Sequence, residues 1–252
     1  MDPIRKPPRQ MISRVTFRRL QQLHRWSGLV LALLLVLIAL SGTVLQVIMT
    51  VYGDTGPRQA PGEPLWVLGL RDIAVTVHTF AFAGISGLYV GMACALGLLF
   101  FAGSGLVIYL ELRRPRAAKG KPGLFWRTKA GKGAAMRSLH RWIALPFVPL
   151  AVLLAVTGTS LDLYFAWQDM VPLPPPRTPQ GAHPMGGPPP VEGRCWHDLS
   201  LWLHKFNVLG AFGHVLGILT GLMLTVLALS GIWIYAVLLR QRRKAGMRVL
   251  FW

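Results

Sequence analysis

Four of the seven histidines in this chain stand where a long apolar run begins, and they form two matched pairs. Leu23-His24-Arg25-Trp26 and Leu139-His140-Arg141-Trp142 each lead into a run that closes on a hydroxyl residue and a glycine, Ser41-Gly42 and Thr157-Gly158. His78 and His204 precede the second and fourth runs in the same way. Titratable side chains at the border of a membrane span are costly and read by default as functional. Imidazole is an axial ligand for haem iron, and sites in helical bundles are built from side chains on facing helices. Two opposed histidines could therefore hold one six-coordinate b-type haem. His24 with His140, and His78 with His204, would make two such sites. Arg25 and Arg141 adjoin the first pair and suit haem propionates through charge-assisted hydrogen bonds. Glycines 84, 87 and 91, with their counterparts 210, 213 and 217, would clear room for a flat macrocycle.

Each feature also has a plainer reading. His-Arg-Trp at a span entrance can be an interface anchor, with Arg for orientation and Trp for the aromatic belt. The glycines, and the Ser-Gly and Thr-Gly pairs, fit helix packing. His183, Met185, Cys195 and His197 could make a soft-metal site, although a Pro-rich loop with incidental His and Cys accounts for them more simply. His214 has no repeat counterpart, since Leu88 takes its place. It is an alternative outer ligand in place of His204, or a substrate contact.

The elements that must position these residues are four apolar runs, about Trp26–Val51, Thr79–Leu112, Trp142–Trp167 and Phe206–Leu239. Each exceeds the roughly 20 residues needed to cross a bilayer core. Hydrophobic residues make up 53% of the 252 positions. The basic stretch before the first run is too long for a cleaved signal peptide. The expected fold is all-α and integral to the membrane, with four transmembrane helices.

The net charge of +18 is distributed in a telling way. Of the 27 Lys and Arg, 22 fall within residues 1–25, 111–141 and 240–252. The other two loops hold Arg58, Arg71, Arg177, Arg194 and Lys205. That alternation places both termini in the cytoplasm. Nucleic acid is excluded as a partner, because no folded basic domain exists to receive it. The two cysteines, Cys94 and Cys195, lie in a span and an outer loop, so an intrachain disulfide is geometrically implausible. With no CxxCH motif, any haem would be non-covalent.

The spans repeat. At an offset of 126, His78, Phe80, Gly84, Gly87, Gly91, Ser104-Gly105 and Ile108-Tyr109 fall on His204, Phe206, Gly210, Gly213, Gly217, Ser230-Gly231 and Ile234-Tyr235. At an offset of 116, the first span falls on the third. The unit is a two-span hairpin present twice and in parallel, so the repeats are related by an axis along the membrane normal. The chain then divides into a basic N-terminus (1–22), a first hairpin (23–114), a basic linker (115–137), a second hairpin (138–243) and a tail (244–252). The second hairpin includes a loop, 168–200, with nine of the 19 prolines. Residues 53–76 are expected to be loop, with one amphipathic turn around Leu65–Ile73. One tension remains: His78 to Arg113 as a straight helix would measure about 52 Å, far more than the bilayer. Either the helix breaks near its glycines or His78 and His204 stand above the membrane.

The motifs "LHRW…LALSG/AVTG" and "LHK…GAFGHVLG…LALSGIWIY…RQRR" resemble the PepSY-associated transmembrane helix family of bacterial inner-membrane proteins. The resemblance covers nearly all of the spanning sequence. It implies span-entrance histidines as haem ligands at His24, His140, His78 and His204. It also implies an activity, since members include haem-containing reductases of ferric siderophores. The chain departs from the family in lacking folded PepSY modules in its loops. That departure implies a minimal electron-transfer core, or one that relies on a partner subunit or a second copy for substrate capture.

The expectation is a multi-pass protein of the bacterial inner membrane with two b haems per chain, passing electrons to ferric iron or a ferric siderophore. No catalytic side chain is assigned, and the electron donor is unspecified. The rivals are a cofactor-free scaffold or accessory subunit of a metal transport system, and a metal- or proton-coupled transporter. The second is disfavoured because Glu111 and Asp162 lie near span ends, leaving no carboxylate at mid-membrane.

Overall fold

The computed structural model describes residues 12–53, 62–117, 132–170 and 194–246. The described residues fold into helices: α1 (Arg14–Tyr52), α2 (Leu65–His78), α3 (Ile85–Ala117), α4 (Lys132–Met170), α5 (Arg194–His204) and α6 (Gly210–Lys244). Four of them, α1, α3, α4 and α6, are long and apolar enough to cross a membrane. No strand occurs among the described residues. A helix satisfies all its backbone groups internally, the condition that lipid imposes on any spanning segment.

Local chemistry sets the helix ends. Ser13 caps α1, its hydroxyl accepting the Thr16 amide at 3.1 Å. Pro64 sits at the N-cap of α2. Just ahead of it, Glu63 reaches forward to pair with Arg71 at 2.7 Å. Both partners are buried, so the pair ties the chain ahead of α2 to the helix.

The tension over the length of the second span resolves as a helix break. α2 is a four-turn helix where the sequence suggests a single turn, and it ends on His78. After it the backbone turns left-handed at Phe80 (φ 53°), runs through a short 3-10 turn (Ala81–Ala83) and reaches Gly84 at φ 57°, before α3 begins. The second repeat does the same with Phe206 (φ 58°), a turn at Asn207–Leu209 and Gly210 at φ 55°. A non-glycine residue in that region is uncommon. Here two phenylalanines adopt it, each only 3% exposed. Their buried rings hold the strained backbone in place. His204 likewise ends α5, so Cys195 and His197 lie on a helix and not in a loop.

This break corrects the expected role of three glycine pairs. Gly84 and Gly210 supply the positive φ. A Cβ on Gly87 or Gly213 would fall onto the carbonyl of Phe80 or Phe206. Gly91 faces the Asp162 carboxylate and Gly217 faces the Gln46 amide. Gly87, Gly91, Gly213 and Gly217 thus face protein atoms, and Gly84 and Gly210 serve the turn.

The helices contribute to two compact units. One draws on residues up to 40, 97–152 and from 220 onward; the other draws on 41–96 and 153–219. Each contains part of every long helix. The first packs around Ala32, Leu35, Phe147 and Ala151, and the second around Ala74, Phe80, Ala155 and Phe206. Ser41, Gln46, Ser104, Thr157 and Ser230 are buried as well. In a chain whose outside is lipid, polar side chains turn inward, and most of these surround the histidines.

Candidate functional site

In the first unit the two span-entrance histidines of α1 and α4 line one cavity of about 550 Å³, within the size range of cofactor pockets. Each imidazole is held by its Nδ1. His24 Nδ1 lies 2.7 Å from Ser104 Oγ, and His140 Nδ1 lies 2.7 Å from Ser230 Oγ. Each serine gives its only proton to a backbone carbonyl, Phe100 for Ser104 and Leu227 for Ser230. The serine oxygen can therefore only accept from the ring. Both rings then carry a proton on Nδ1, and their neutral form is the one with Nε2 unprotonated, the form that ligates a metal. Glycines stand against both rings: a Cβ on Gly105 would lie 3.6 Å from His24 Cε1, and one on Gly231 would lie 4.0 Å from His140 Cε1.

The rest of the cavity suits a flat apolar group with an acidic edge. Ala32, Leu35, Ala102, Phe147 and Ala151 form apolar wall, with Gly28 and Phe101 close to His24. Arg25, Arg137 and Arg141 line the same cavity. Arg25 also feels the charges of Arg137 and Arg242, so an anion placed here would relieve repulsion among cations.

In the second unit His78 and His204 meet at the C-terminal ends of α2 and α5. Their ring centres are 6.2 Å apart and the ring planes are inclined by 64°. A metal bonded to two imidazole nitrogens at about 2 Å each, plus about 1 Å from each nitrogen to its ring centre, requires about 6 Å. The observed spacing fits one metal atom between the rings. His204 Nδ1 lies 2.9 Å from Thr157 Oγ1, which donates to the Leu153 carbonyl at 2.8 Å. His78 Nδ1 lies 3.4 Å from Ser41 Oγ, the longest of the four contacts. A Cβ on Gly42 would lie 2.8 Å from His78 Cε1, and one on Gly158 would lie 3.6 Å from His204 Cε1. Packing around its ring, then the neighbouring His78 and Lys205, lowers the His204 pKa to about 4. The ring is neutral at pH 7.

The four matched histidines thus come together in the expected pairs, and Arg25 and Arg141 both border the first. His214 is not part of the second pair. Because the chain breaks between α5 and α6, His214 does not continue a helix from His204. Its Nδ1 instead takes a hydrogen bond from Gln46 Nε2 at 3.2 Å, and that amide also donates to the Lys205 carbonyl at 3.0 Å. Gln46 and Asp162 occupy equivalent repeat positions, so the two halves of the second unit differ chemically there. Of the proposed soft-metal set, His183 and Met185, and the side chain of Cys195, lie outside the described residues. His197 pairs with Asp198 at 3.0 Å and stacks on Tyr164. Among the described residues no group of three or more His, Cys, Asp or Glu converges on a point.

The residues that sequence reasoning undervalues are Ser41, Ser104, Thr157 and Ser230. Packing alone accounts for them in the sequence, yet each bonds a histidine while its following glycine faces the same ring. A signal for this exists: in an antiparallel hairpin the start of one span lies beside the end of the next.

Fold and site together define an all-α, four-span membrane protein built on paired, hydroxyl-anchored histidines. The model of the PepSY-associated TM region matches residues 46–237, and the chain belongs to that family. No curated protein and no solved structure matches it significantly.

Proposed function

We propose that this chain is a di-haem b-type electron-transfer protein of the bacterial inner membrane that reduces ferric iron or a ferric siderophore on the periplasmic side. One observation carries the proposal: four imidazoles in two pairs, each with a hydroxyl at its Nδ1, and three of those hydroxyls already donate to a carbonyl, so that Nε2 of His24, His140 and His204 remains for a metal. His24 and His140 would hold one haem and His78 and His204 the other. Arg25 and Arg141 would receive the propionates of the first. A haem at either pair would supply reversible one-electron chemistry of its iron.

The polypeptide does the rest. The hydroxyls fix tautomer and ring angle, as outer-shell partners of metal-binding histidines generally do. The apolar walls exclude water, and Gly42 lets the His78 ring approach the helix backbone. The positive-inside distribution supports cytoplasmic termini, which puts the His78/His204 pair nearer the periplasmic side and the first pair nearer the cytoplasm. Reduction there would weaken a ferric chelate, because hard oxygen ligands hold the smaller, more highly charged ion better. The electron donor would engage the cytoplasmic side.

The test is a reduced-minus-oxidised visible spectrum of the purified protein, with haem quantified by pyridine haemochrome. About two haems per chain are expected. His24→Ala or His140→Ala should remove one, and His78→Ala or His204→Ala the other. Folded protein without haem, produced with ample haem supply, overturns the proposal and favours a cofactor-free scaffold.

A further inference from the structure

α2 and α5, of 14 and 11 residues, measure roughly 21 Å and 16 Å. Neither can cross a bilayer. Both nevertheless present large apolar side chains outward. On α2, Trp66 is 70% and Ile73 64% exposed, with Leu70 between them, while Val67, Arg71 and Ala74 face the protein. On α5, Trp196 is 74% exposed, and Leu199 and Trp202 continue its stripe. The stripe is duplicated: Leu70 and Ile73 are the repeat counterparts of Trp196 and Leu199. Charged residues take another sector of each helix, with Asp72 and Asp198 exposed.

What covers these stripes follows from what they adjoin. Each short helix leads through one 3-10 turn into a spanning helix, and turn and helix carry exposed apolar side chains of their own. These are Phe82, Ile85 and Tyr89 in the first repeat and Val208, Phe212 and Val215 in the second. On a helix that spans a bilayer, such an exposed apolar surface is the one that meets lipid. Tryptophan beside aliphatic residues on a short helix that also carries a charged, exposed side chain suits a segment lying in the bilayer interface.

We propose that α2 and α5 are interfacial helices, embedded by their Trp66–Ile73 and Trp196–Trp202 stripes in the leaflet opposite the termini, with phospholipid acyl chains as the partner. Each helix then touches three environments: protein through one face, lipid through the stripe, and water through its aspartate. The bilayer sets the depth of both helices, and hence of the residue that ends each one, His78 or His204. The inference holds whether or not a metal lies between those rings.

The unsubstituted full-length chain tests it. The protein is reconstituted in phosphatidylcholine nanodiscs containing a phospholipid with a diazirine on its acyl chain, illuminated, and mapped by mass spectrometry. Adducts are expected on Trp66–Ile73 and Trp196–Trp202 at a yield comparable to that on Ile85–Tyr89, which serves as the internal reference. A labelled Ile85–Tyr89 segment with unlabelled α2 and α5 overturns the proposal. Hydroxyl-radical footprinting of the same sample then tells what replaces lipid. Oxidised Trp66 and Trp196 mean water; protected ones mean a second copy or another protein.

Discussion

Ser104 Oγ stands 2.7 Å from His24 Nδ1 and has already given its proton to the Phe100 carbonyl. The serine therefore acts as an acceptor, and the ring must carry its proton on Nδ1. One hydroxyl thus decides which nitrogen of the histidine is left for a ligand. Ser230 does the same for His140 and Thr157 for His204. Three sites with one logic, in a duplicated chain, connect a sequence pattern to a tautomer.

Replacing Ser104 or Ser230 by alanine removes that acceptor. An Nδ1–H that donates makes the imidazole a stronger donor through Nε2 and favours the oxidised iron of a bound haem. Losing a hydrogen bond worth about 0.5–1.5 kcal/mol should raise the midpoint potential of that haem by about 20–60 mV. Haem affinity should fall about 10–100-fold, as for other outer-shell partners of metal-binding histidines. Potentiometric titration of both variants checks this. Unchanged potentials with full haem content would show that the hydroxyls merely pack.

The glycines beside the rings predict a ranking. Glycine to alanine inside a helix gains about 1 kcal/mol if the new methyl finds space. At Gly231, with His140 Cε1 4.0 Å away, and at Gly105 and Gly158, with their rings at 3.6 Å, it does. At Gly42 the methyl would sit 2.8 Å from His78 Cε1, so the ring must move. Gly231→Ala should hold or raise Tm and, on the di-haem proposal, keep the haem content of the unsubstituted chain. Gly42→Ala should lose the haem of the second pair while keeping the helix. Equal behaviour of the two variants would mean that ring position does not matter.

The breaks after α2 and α5 depend on two glycines that no other residue can replace. A Cβ at Gly87 or Gly213 overlaps the preceding phenylalanine carbonyl, and backbone cannot rotate away as a side chain can. Gly87→Ala and Gly213→Ala should each cost at least about 3 kcal/mol, the upper range for overpacking. Gly103→Ala on the same α3 meets nothing within 4 Å and should be neutral or stabilising. Thermal unfolding in detergent separates the two cases. Similar melting temperatures would mean that the close approach to the phenylalanine carbonyl does not dictate glycine at these two positions.

The fold was legible in the sequence where a single physical rule governed it. Apolar length marks the spans, and the repeat offsets place His24 with His140 and His78 with His204. The break at Phe80 and Phe206 was not legible, because no turn signal calls for a phenylalanine at positive φ. Only the buried rings stabilise it, and that burial exists in the fold alone. His214 looks like a deeper ligand only if the helical rise per residue runs on across a break that periodicity does not reveal. The hydroxyls are hard to read for another reason. Ser-Gly in a span is common packing chemistry, and its second role appears only once the histidine of the neighbouring helix is beside it.

Acid should loosen the second pair in haem-free protein. His204 titrates at about 4 in the folded chain, chiefly because burial penalises the imidazolium, with His78 and Lys205 adding to the effect. Unfolded, it titrates near the ordinary value of about 6.5. Between those values the unfolded chain binds a proton that the folded chain does not, so the slope of stability with pH is positive. The contribution is flat above about pH 6.5, is lost as pH falls through the window, and reaches about 3 kcal/mol by pH 4. Comparing Tm from pH 7.5 to 4 for the wild type and His204→Gln isolates it from carboxylates, which titrate in both. The wild type should lose more stability than the variant over that range. Parallel profiles would mean that His204 is protonated in the folded state, which would leave it unable to serve as a ligand at mildly acid pH.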